Sequence, residues 1–247
     1  MRLFMVIMLL FLLPPQAGAA ITAAEIIKKV EDNLNGETAR LAIAMTVKTS
    51  RTQRTVRLES FSIGTDKSFI RIAYPKKDEG ITFLKVDKQM WQYVPRIEKI
   101  IKIPASMMQQ SWMGSDFSND DLIKESSISK DYDANLLGED GSGFSLELIP
   151  HPEAPVVWGK IIMGVSRSSF LPTEVDYFDE EGVLVRTLYY REVQRFAGRL
   201  YPSLWVMEPK TPDKAGHQTI VRVEAAEFDQ PIDPEYFTKR ALKRFSK

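Results

Sequence analysis

The side chains that most often perform catalysis or bind metals are scarce and scattered in this sequence. His151 and His217 are its two histidines, it has no cysteine, and neither histidine has a second such ligand close by in the chain. A zinc site needs three or four ligands of this kind. A serine–histidine–aspartate triad stays open, because its members lie far apart in a chain, but no G-x-S-x-G turn and no glycine-rich phosphate or dinucleotide motif occurs. We therefore expect no metal, no cofactor and no enzymatic activity.

Three groups of carboxylates could act as acids or bases, and each has a simpler structural explanation. Asp120 and Asp121 are expected to supply negative charge at a helix N-terminus, and the acidic residues 179–181 to form a hairpin loop. Asp116, in the segment GSDF at 114–117, is expected to bond nearby backbone N–H groups in a turn. Direct contact between Asp116 and a ligand is the alternative.

The most unusual local composition lies at residues 105–114, which contain three methionines and a tryptophan and are not strand-like. Methionine is flexible and polarisable, and it is over-used where a surface must accept varied apolar shapes such as long acyl chains. We predict that this segment forms the wall or lid of an apolar cavity, with ordinary core beneath a loop as the alternative. The residues concerned are Met107, Met108, Trp112 and Met113, joined by Trp91 and Tyr93 from the preceding strands.

The N-terminus has the pattern of a secretory signal peptide. One positive charge at Arg2 precedes an apolar run at 3–13, two prolines and a small-residue site ending at Ala19 or Ala20. The run is too short to span a bilayer, which needs about 20 apolar residues. Because the chain has no cysteine, no lipid-modified cysteine can follow. We predict a signal peptide at 1–19 and a soluble, periplasmic mature chain without a lipid anchor.

Residues 20–247 are long enough for a single domain rich in strands. The formal net charge is +0, with 33 basic and 33 acidic residues. Nucleic-acid-binding domains usually carry a basic surplus, so no nucleic-acid partner is expected.

The elements predicted from apolar periodicity are one early helix, twelve strands and a basic C-terminal helix. The segment Ala23–Leu34 reads as an amphipathic helix capped by Thr22, residues 130–143 read as polar turns, and Tyr236–Phe245 reads as the last helix. Short turns between the strands indicate antiparallel hairpins. Many strands are apolar on both faces, so we predict one curved antiparallel sheet with the first helix against its concave face.

Five segments of the sequence resemble the outer membrane lipoprotein-sorting protein family, which belongs to the LolA/LolB-like superfamily. They are WQYVP at 91–95, IPASM at 103–107, QSWMGSDF at 110–117, SNDDL at 118–122 and YFTKRAL at 236–242. The resemblance implies a mainly β protein, a half-open antiparallel barrel of about eleven strands with a helical lid over an apolar cavity. It also implies a periplasmic location and no enzymatic activity.

Together these observations predict a monomeric periplasmic carrier of lipid or acylated lipoprotein directed toward the outer membrane. A sixteen-carbon chain costs roughly 12 kcal/mol to expose to water, at about 0.8 kcal/mol per methylene, so crossing an aqueous space requires a carrier. An inner-membrane transporter and an outer-membrane acceptor are the further partners considered. The alternatives are a periplasmic interaction or sensor module, an accessory subunit of a lipid export transporter, and a lipid hydrolase. The residues predicted to bind lipid are Trp91, Tyr93, Met107, Met108, Trp112, Met113 and Phe117.

Overall fold

The computed structural model describes residues 21–124, 128–154 and 156–246. The signal peptide predicted at 1–19 lies outside these residues. In the described part of the chain, every helix is too short or too polar to cross a membrane.

Across the described ranges, thirteen strands form one antiparallel sheet that does not close on itself. Their order across the sheet is β6-β5-β4-β3-β2-β1-β13-β12-β11-β10-β9-β8-β7, so two meanders are joined where β1 pairs with β13. The mainly β, open and antiparallel architecture confirms the predicted fold class, with two strands more than the resemblance implied. The strands are β1 Thr38–Lys48, β2 Gln53–Ile63, β3 Lys67–Tyr74, β4 Thr82–Val86, β5 Gln89–Val94, β6 Lys99–Lys102, β7 Tyr132–Glu139, β8 Gly143–Pro150, β9 Lys160–Ser166, β10 Pro172–Phe178, β11 Leu184–Phe196, β12 Arg199–Pro209 and β13 Gln218–Phe228.

Four α-helices and several short 3-10 turns accompany the sheet in the described residues. They are α1 Ala23–Asn35, α2 Asp121–Lys124, α3 Ile128–Asp131 and α4 Lys239–Arg244, with 3-10 turns at Pro95–Ile97, Ala105–Met107, Trp112–Gly114, Pro212–Lys214 and Pro234–Phe237.

Helix α1 begins where the sequence predicts, because Thr22 and Glu25 form a reciprocal capping box. The Glu25 amide donates to Thr22 Oγ1 at 3.2 Å, and the Thr22 amide donates to the Glu25 carboxylate at 2.8 Å. The helix ends at Asn35 and is capped by Gly36, whose φ of 61° favours glycine. Its buried face carries Ile26, Ile27 and Val30.

The sheet curves around α1. A flat sheet of thirteen strands would be roughly 58 Å wide at a spacing of about 4.8 Å. Yet Lys130, two residues before edge strand β7, pairs at 3.1 Å with Asp66 in the turn between β2 and β3, in the other half of the sheet. These two residues can pair only if the sheet bends. One buried cluster joins Ile26 of α1 to Phe83 of β4 and Leu146 of β8 on the inner face, which we call concave, and the opposite face is convex.

A second cluster on the convex face explains why the strands are apolar on both sides. There the C-terminal segment packs onto β2 to β5, with Phe61, Phe69, Leu84, Trp91 and Tyr93 beneath Phe237, Ala241 and Leu242. The helix predicted at Tyr236–Phe245 is wrong in detail. A 3-10 turn comes first, and α4 then starts at Lys239 after its N-cap Thr238, whose hydroxyl accepts from the Ala241 amide at 3.3 Å.

The prediction of turns at 130–143 is also wrong, because this segment contains the end of α3 and the whole of β7. Strand β7 forms one edge of the sheet and pairs only with β8. Tyr132 is buried, but most of the strand beyond it is exposed. An edge strand with so little buried surface lacks the alternating apolar pattern by which strands are recognised.

The connection between the two meanders must cross the molecule. The chain leaves the first meander at β6, which is one edge, and enters the second at β7, which is the other edge. Residues 103–124 and 128–131, here called the crossing segment, contribute Trp112 and Phe117 to the same cluster as α1. The crossing segment therefore lies over the concave face beside α1.

Candidate functional site

A cavity of about 240 Å³ lies between α1, the crossing segment and the concave face of the sheet. It exceeds the cavity of about 150 Å³ that is known to hold benzene in another protein interior. Its walls come from both meanders. The lining residues are Val30, Glu31, Leu34, Asn35, Leu41, Ile43, Met45, Leu58, Ser60, Ser62, Ser68, Ile70, Trp112, Phe117, Asp121, Leu122, Ile128, Met163, Pro172, Val175, Tyr177, Tyr190, Tyr201, Trp205 and Val221.

The apolar walls follow from the two-residue period of the strands. In β1, Leu41, Ile43 and Met45 alternate and all three line the cavity. On the other side, Tyr190 of β11 and Trp205 of β12 lie with their ring centroids 5.6 Å apart. These side chains offer a long apolar surface to a bound molecule.

One part of the cavity wall is polar. Ser62 of β2 lies opposite Ser68 of β3, and Ser68 lies opposite Lys85 of β4, so the three share one row on the concave face. Lys85 is buried and its Nζ donates to the Thr65 carbonyl at 2.6 Å. Burial lowers the pKa of Lys85 to about 8, against the opposing effect of Asp66. Polar groups therefore flank the apolar cavity where it borders β2, β3 and β4.

A buried ion pair holds the crossing segment on the sheet. Arg186 of β11 donates to both carboxylate oxygens of Asp121, at 2.8 and 2.5 Å, and their side chains are 8% and 7% exposed. The Arg186 guanidinium also lies 4.4 Å from the ring centroids of both Trp158 and Tyr177. Asp121 in addition accepts from the Ser118 amide at 2.6 Å, and its own amide donates to the Ser118 hydroxyl at 3.2 Å, which is the reciprocal pattern of a capping box. The pair thus anchors the start of α2 to β11.

Asp116 makes a second connection between the crossing segment and the sheet. Its carboxylate accepts from the hydroxyl of Thr219 in β13 at 2.8 Å, and its amide donates to the same hydroxyl at 2.9 Å. The turn role expected for Asp116 is filled by Ser115, whose Oγ donates to the Trp112 carbonyl at 2.7 Å and accepts from the Phe117 amide at 3.2 Å. Asp116 is therefore a long-range connection rather than a local turn residue.

The residues predicted to bind lipid do not all line the same cavity. Trp112 and Phe117 line the cavity, and Trp112 packs edge-on against Phe83, with ring centroids 5.4 Å apart. Met108 and Met113 are partly buried against the same core cluster without lining the cavity, and Met107 is exposed. A role for these methionines in binding stays a prediction.

Trp91 and Tyr93 lie on the convex face, away from the cavity that they were expected to border. Strand β5 alternates, so Met90 points into the concave cluster while Trp91 packs beneath α4. Alternation separates the two faces correctly, but it does not indicate which face carries the cavity. Most residues that line the cavity were not predicted from the sequence and lie on other strands. The alternating apolar residues Leu41, Ile43 and Met45 of β1 are the sequence pattern that could have indicated them.

The described residues contain no group of three or more histidine, cysteine or acidic side chains placed to hold a metal ion.

The described residues thus form an open antiparallel sheet curved around an apolar cavity, with a helix and a crossing segment over its concave face. A family model described as "Uncharacterized protein" matches residues 64–244, which is most of the chain, and the chain belongs to that family. No significant match was found among the curated proteins.

Solved structures confirm the resemblance at the level of the fold. A DUF1329 family protein from Desulfovibrio piger is 21% identical, with a TM-score of 0.80 over 89% of this chain and 97% of that one. A putative outer membrane lipoprotein-sorting protein domain from Vibrio parahaemolyticus is 22% identical, with a TM-score of 0.77 over 90% and 98%. A LolA superfamily protein from Nitrosomonas europaea is 20% identical, with a TM-score of 0.75 over 90% and 100%.

Proposed function

We propose that this protein is a periplasmic carrier that binds a lipid, or the acyl chains of a lipoprotein, and transfers it toward the outer membrane. The observation that carries the proposal is the cavity of about 240 Å³ with walls of leucine, isoleucine, methionine and aromatic side chains. Protein interiors are close-packed, so the apolar side chains that line this cavity lack packing contacts on the side that faces it. Burying acyl methylenes there would restore those contacts and keep the chain out of water.

The size of the cavity implies that its cover moves when a long chain binds. Ligand pockets are usually about 300–1,000 Å³, and this cavity lies just below that range. The crossing segment covers it and is held by polar contacts, among them the Arg186–Asp121 pair and the Asp116–Thr219 bond. A shift of this segment, or of α1, would enlarge the cavity without disturbing the pairing of the strands.

Trp112 also offers a donor to the cargo. Its indole Nε1 is buried and has no hydrogen-bond partner among the described residues, although the side chain lines the cavity. An unsatisfied buried donor is costly. The ester or amide carbonyl that joins an acyl chain to its head group would satisfy it, whereas a plain hydrocarbon would not.

The carrier role requires no bond to be made or broken, and we propose that the protein is not an enzyme. Residues 20–247 would act as one lipid-binding domain. A transporter in the inner membrane and an acceptor at the outer membrane are the partners that such a transfer needs.

Export is the first requirement of this proposal. We expect the N-terminus of the protein in the periplasm to be Ala20 or Ile21, because both positions follow a small-residue site. N-terminal sequencing of protein from a periplasmic extract measures this directly. Intact Met1 in protein from a membrane fraction would contradict both the cleavage and the soluble location.

The cargo itself provides the direct test of the proposed function. Protein purified from its native cells and extracted with organic solvent should release one class of acyl lipid, identified by mass spectrometry. The control is the variant Ser60→Phe, which is expected to keep the fold but fill the cavity. It should release much less of this lipid. Extracts that contain no acyl compound, or equal amounts from both proteins, would argue against a carrier.

A further inference from the structure

The edge of the sheet formed by β6 is exposed, and it carries both basic and apolar side chains. Every residue from 96 to 102 is exposed, in the sequence Arg-Ile-Glu-Lys-Ile-Ile-Lys. Ile97, Ile100 and Ile101 are 50%, 44% and 38% exposed. Three cations therefore surround three isoleucines that the described part of the chain covers only partly.

Helix α4 extends this surface on the convex side. Lys102 of β6 and Lys239 of α4 both lie over the ring of Trp91, with Nζ 6.0 and 4.6 Å from its centroid. Arg240 and Lys243 are also exposed on α4. Residues 96–102 and the cations of α4 thus form one continuous surface, here called the basic edge.

The positive charge of the basic edge is not neutralised locally. Nearby Glu79 pairs with Lys76, and Glu235 pairs with Arg244. Glu98 is the one carboxylate within residues 96–102. Although the whole chain has a net charge of +0, this surface is strongly cationic. The cations of the basic edge that form no ion pair with the described residues are Arg96, Lys99, Lys102, Lys239, Arg240 and Lys243.

We propose that the basic edge docks on an anionic phospholipid bilayer. Its cations would lie among the phosphates, and Ile97 and Ile100 would enter the boundary between head groups and acyl chains. The opposite edge of the sheet differs in charge. There the exposed Leu136 and Leu137 of β7 lie between Asp133 and Glu139, of which Glu139 pairs with Arg167, and β7 itself contains no cation to attract such a bilayer. Docking is therefore expected at one edge only.

The electrostatic part of the proposal is tested with vesicles of phosphatidylcholine alone and of phosphatidylcholine mixed with phosphatidylglycerol. Protein whose N-terminus is Ala20 or Ile21 should cosediment with the mixed vesicles and release at high salt. Each cation near an anionic surface strengthens partitioning about five-fold. The double variant Lys99→Gln/Lys243→Gln should therefore bind about 25-fold more weakly, and equal binding to both vesicle types would overturn the proposal.

The apolar part is tested with matched substitutions on the two edges. Ile97→Ser/Ile100→Ser should weaken vesicle binding about tenfold or more, while Leu136→Ser/Leu137→Ser should leave it unchanged. Equal losses in both variants would overturn the proposal. So would a wild-type dimer that the isoleucine variant dissociates, because the edge would then pair with a second copy. The cavity-filling variant Ser60→Phe separates docking from cargo binding. If it binds vesicles as the wild type does, docking is independent of the cavity. If it no longer binds them, vesicle binding belongs to the cavity, and the edge proposal is overturned.

Discussion

The substitution Arg186→Met is expected to lower the free energy of unfolding by about 3–5 kcal/mol. It removes both hydrogen bonds to Asp121 and leaves that carboxylate buried without its cation. It also removes the guanidinium that lies over Trp158 and Tyr177. Unfolding in urea, followed by far-ultraviolet circular dichroism, measures the change without relying on the fluorescence of Trp158.

Two further variants separate the cost of the unpaired charge from the loss of packing. The double variant Arg186→Met/Asp121→Leu should recover most of the stability, because replacing a buried ion pair by apolar groups is often neutral. A loss of about 1 kcal/mol should remain, since Asp121 also caps α2. Lys28→Met removes an exposed pair with Asp32 and should cost less than about 0.5 kcal/mol. If Arg186→Met costs no more than Lys28→Met, the crossing segment does not depend on this pair.

Filling the cavity should separate binding from folding. Ser60 lines the cavity from β2, opposite Leu41 on one neighbouring strand and Ile70 on the other. In Ser60→Phe, the ring would occupy space that an acyl chain otherwise takes. Displacing about three methylenes costs roughly 2.4 kcal/mol, which is about a 60-fold increase in the Kd of a fluorescent fatty-acyl probe. The melting temperature should not fall, because the added ring fills space already present.

A control on the same sheet distinguishes cavity filling from a general effect of an added ring. Ala44 alternates with Ile43 and Met45, so it lies on the opposite face of β1 between Arg57 and Arg222. Ala44→Phe should leave the affinity of the probe unchanged. If Ser60→Phe also leaves the affinity unchanged while the protein stays folded, the probe binds elsewhere and the cavity is not the cargo site.

Local sequence patterns were sufficient to predict most of the helices and strands. The capping box at Thr22 and Glu25 and the glycine at 36 identify α1 to within one residue, because both signals act within a single turn. Twelve of the strands could be recognised, since each carries apolar residues next to short polar turns. Strand β7 was missed because an exposed edge strand buries too little to impose such a pattern.

The location of the cavity could not be read from the sequence in the same way. Met90 and Trp91 are adjacent and equally apolar, and alternation shows only that they face opposite sides. Which side encloses the cavity depends on where distant segments pack. The C-terminal helix covers Trp91 and Tyr93, whereas α1 and the crossing segment cover the other face.

The sequence by itself determined the helix at the N-terminal end, the antiparallel strands and the apolar character of both sheet faces. Each of these depends on interactions between residues close together in the chain. Only the tertiary structure decided which side chains meet over the concave face. Asp121 and Arg186 are 65 residues apart, and Asp116 and Thr219 are 103 apart. Because such contacts depend on how the sheet curves and how the chain crosses it, no local spacing of residue types encodes them.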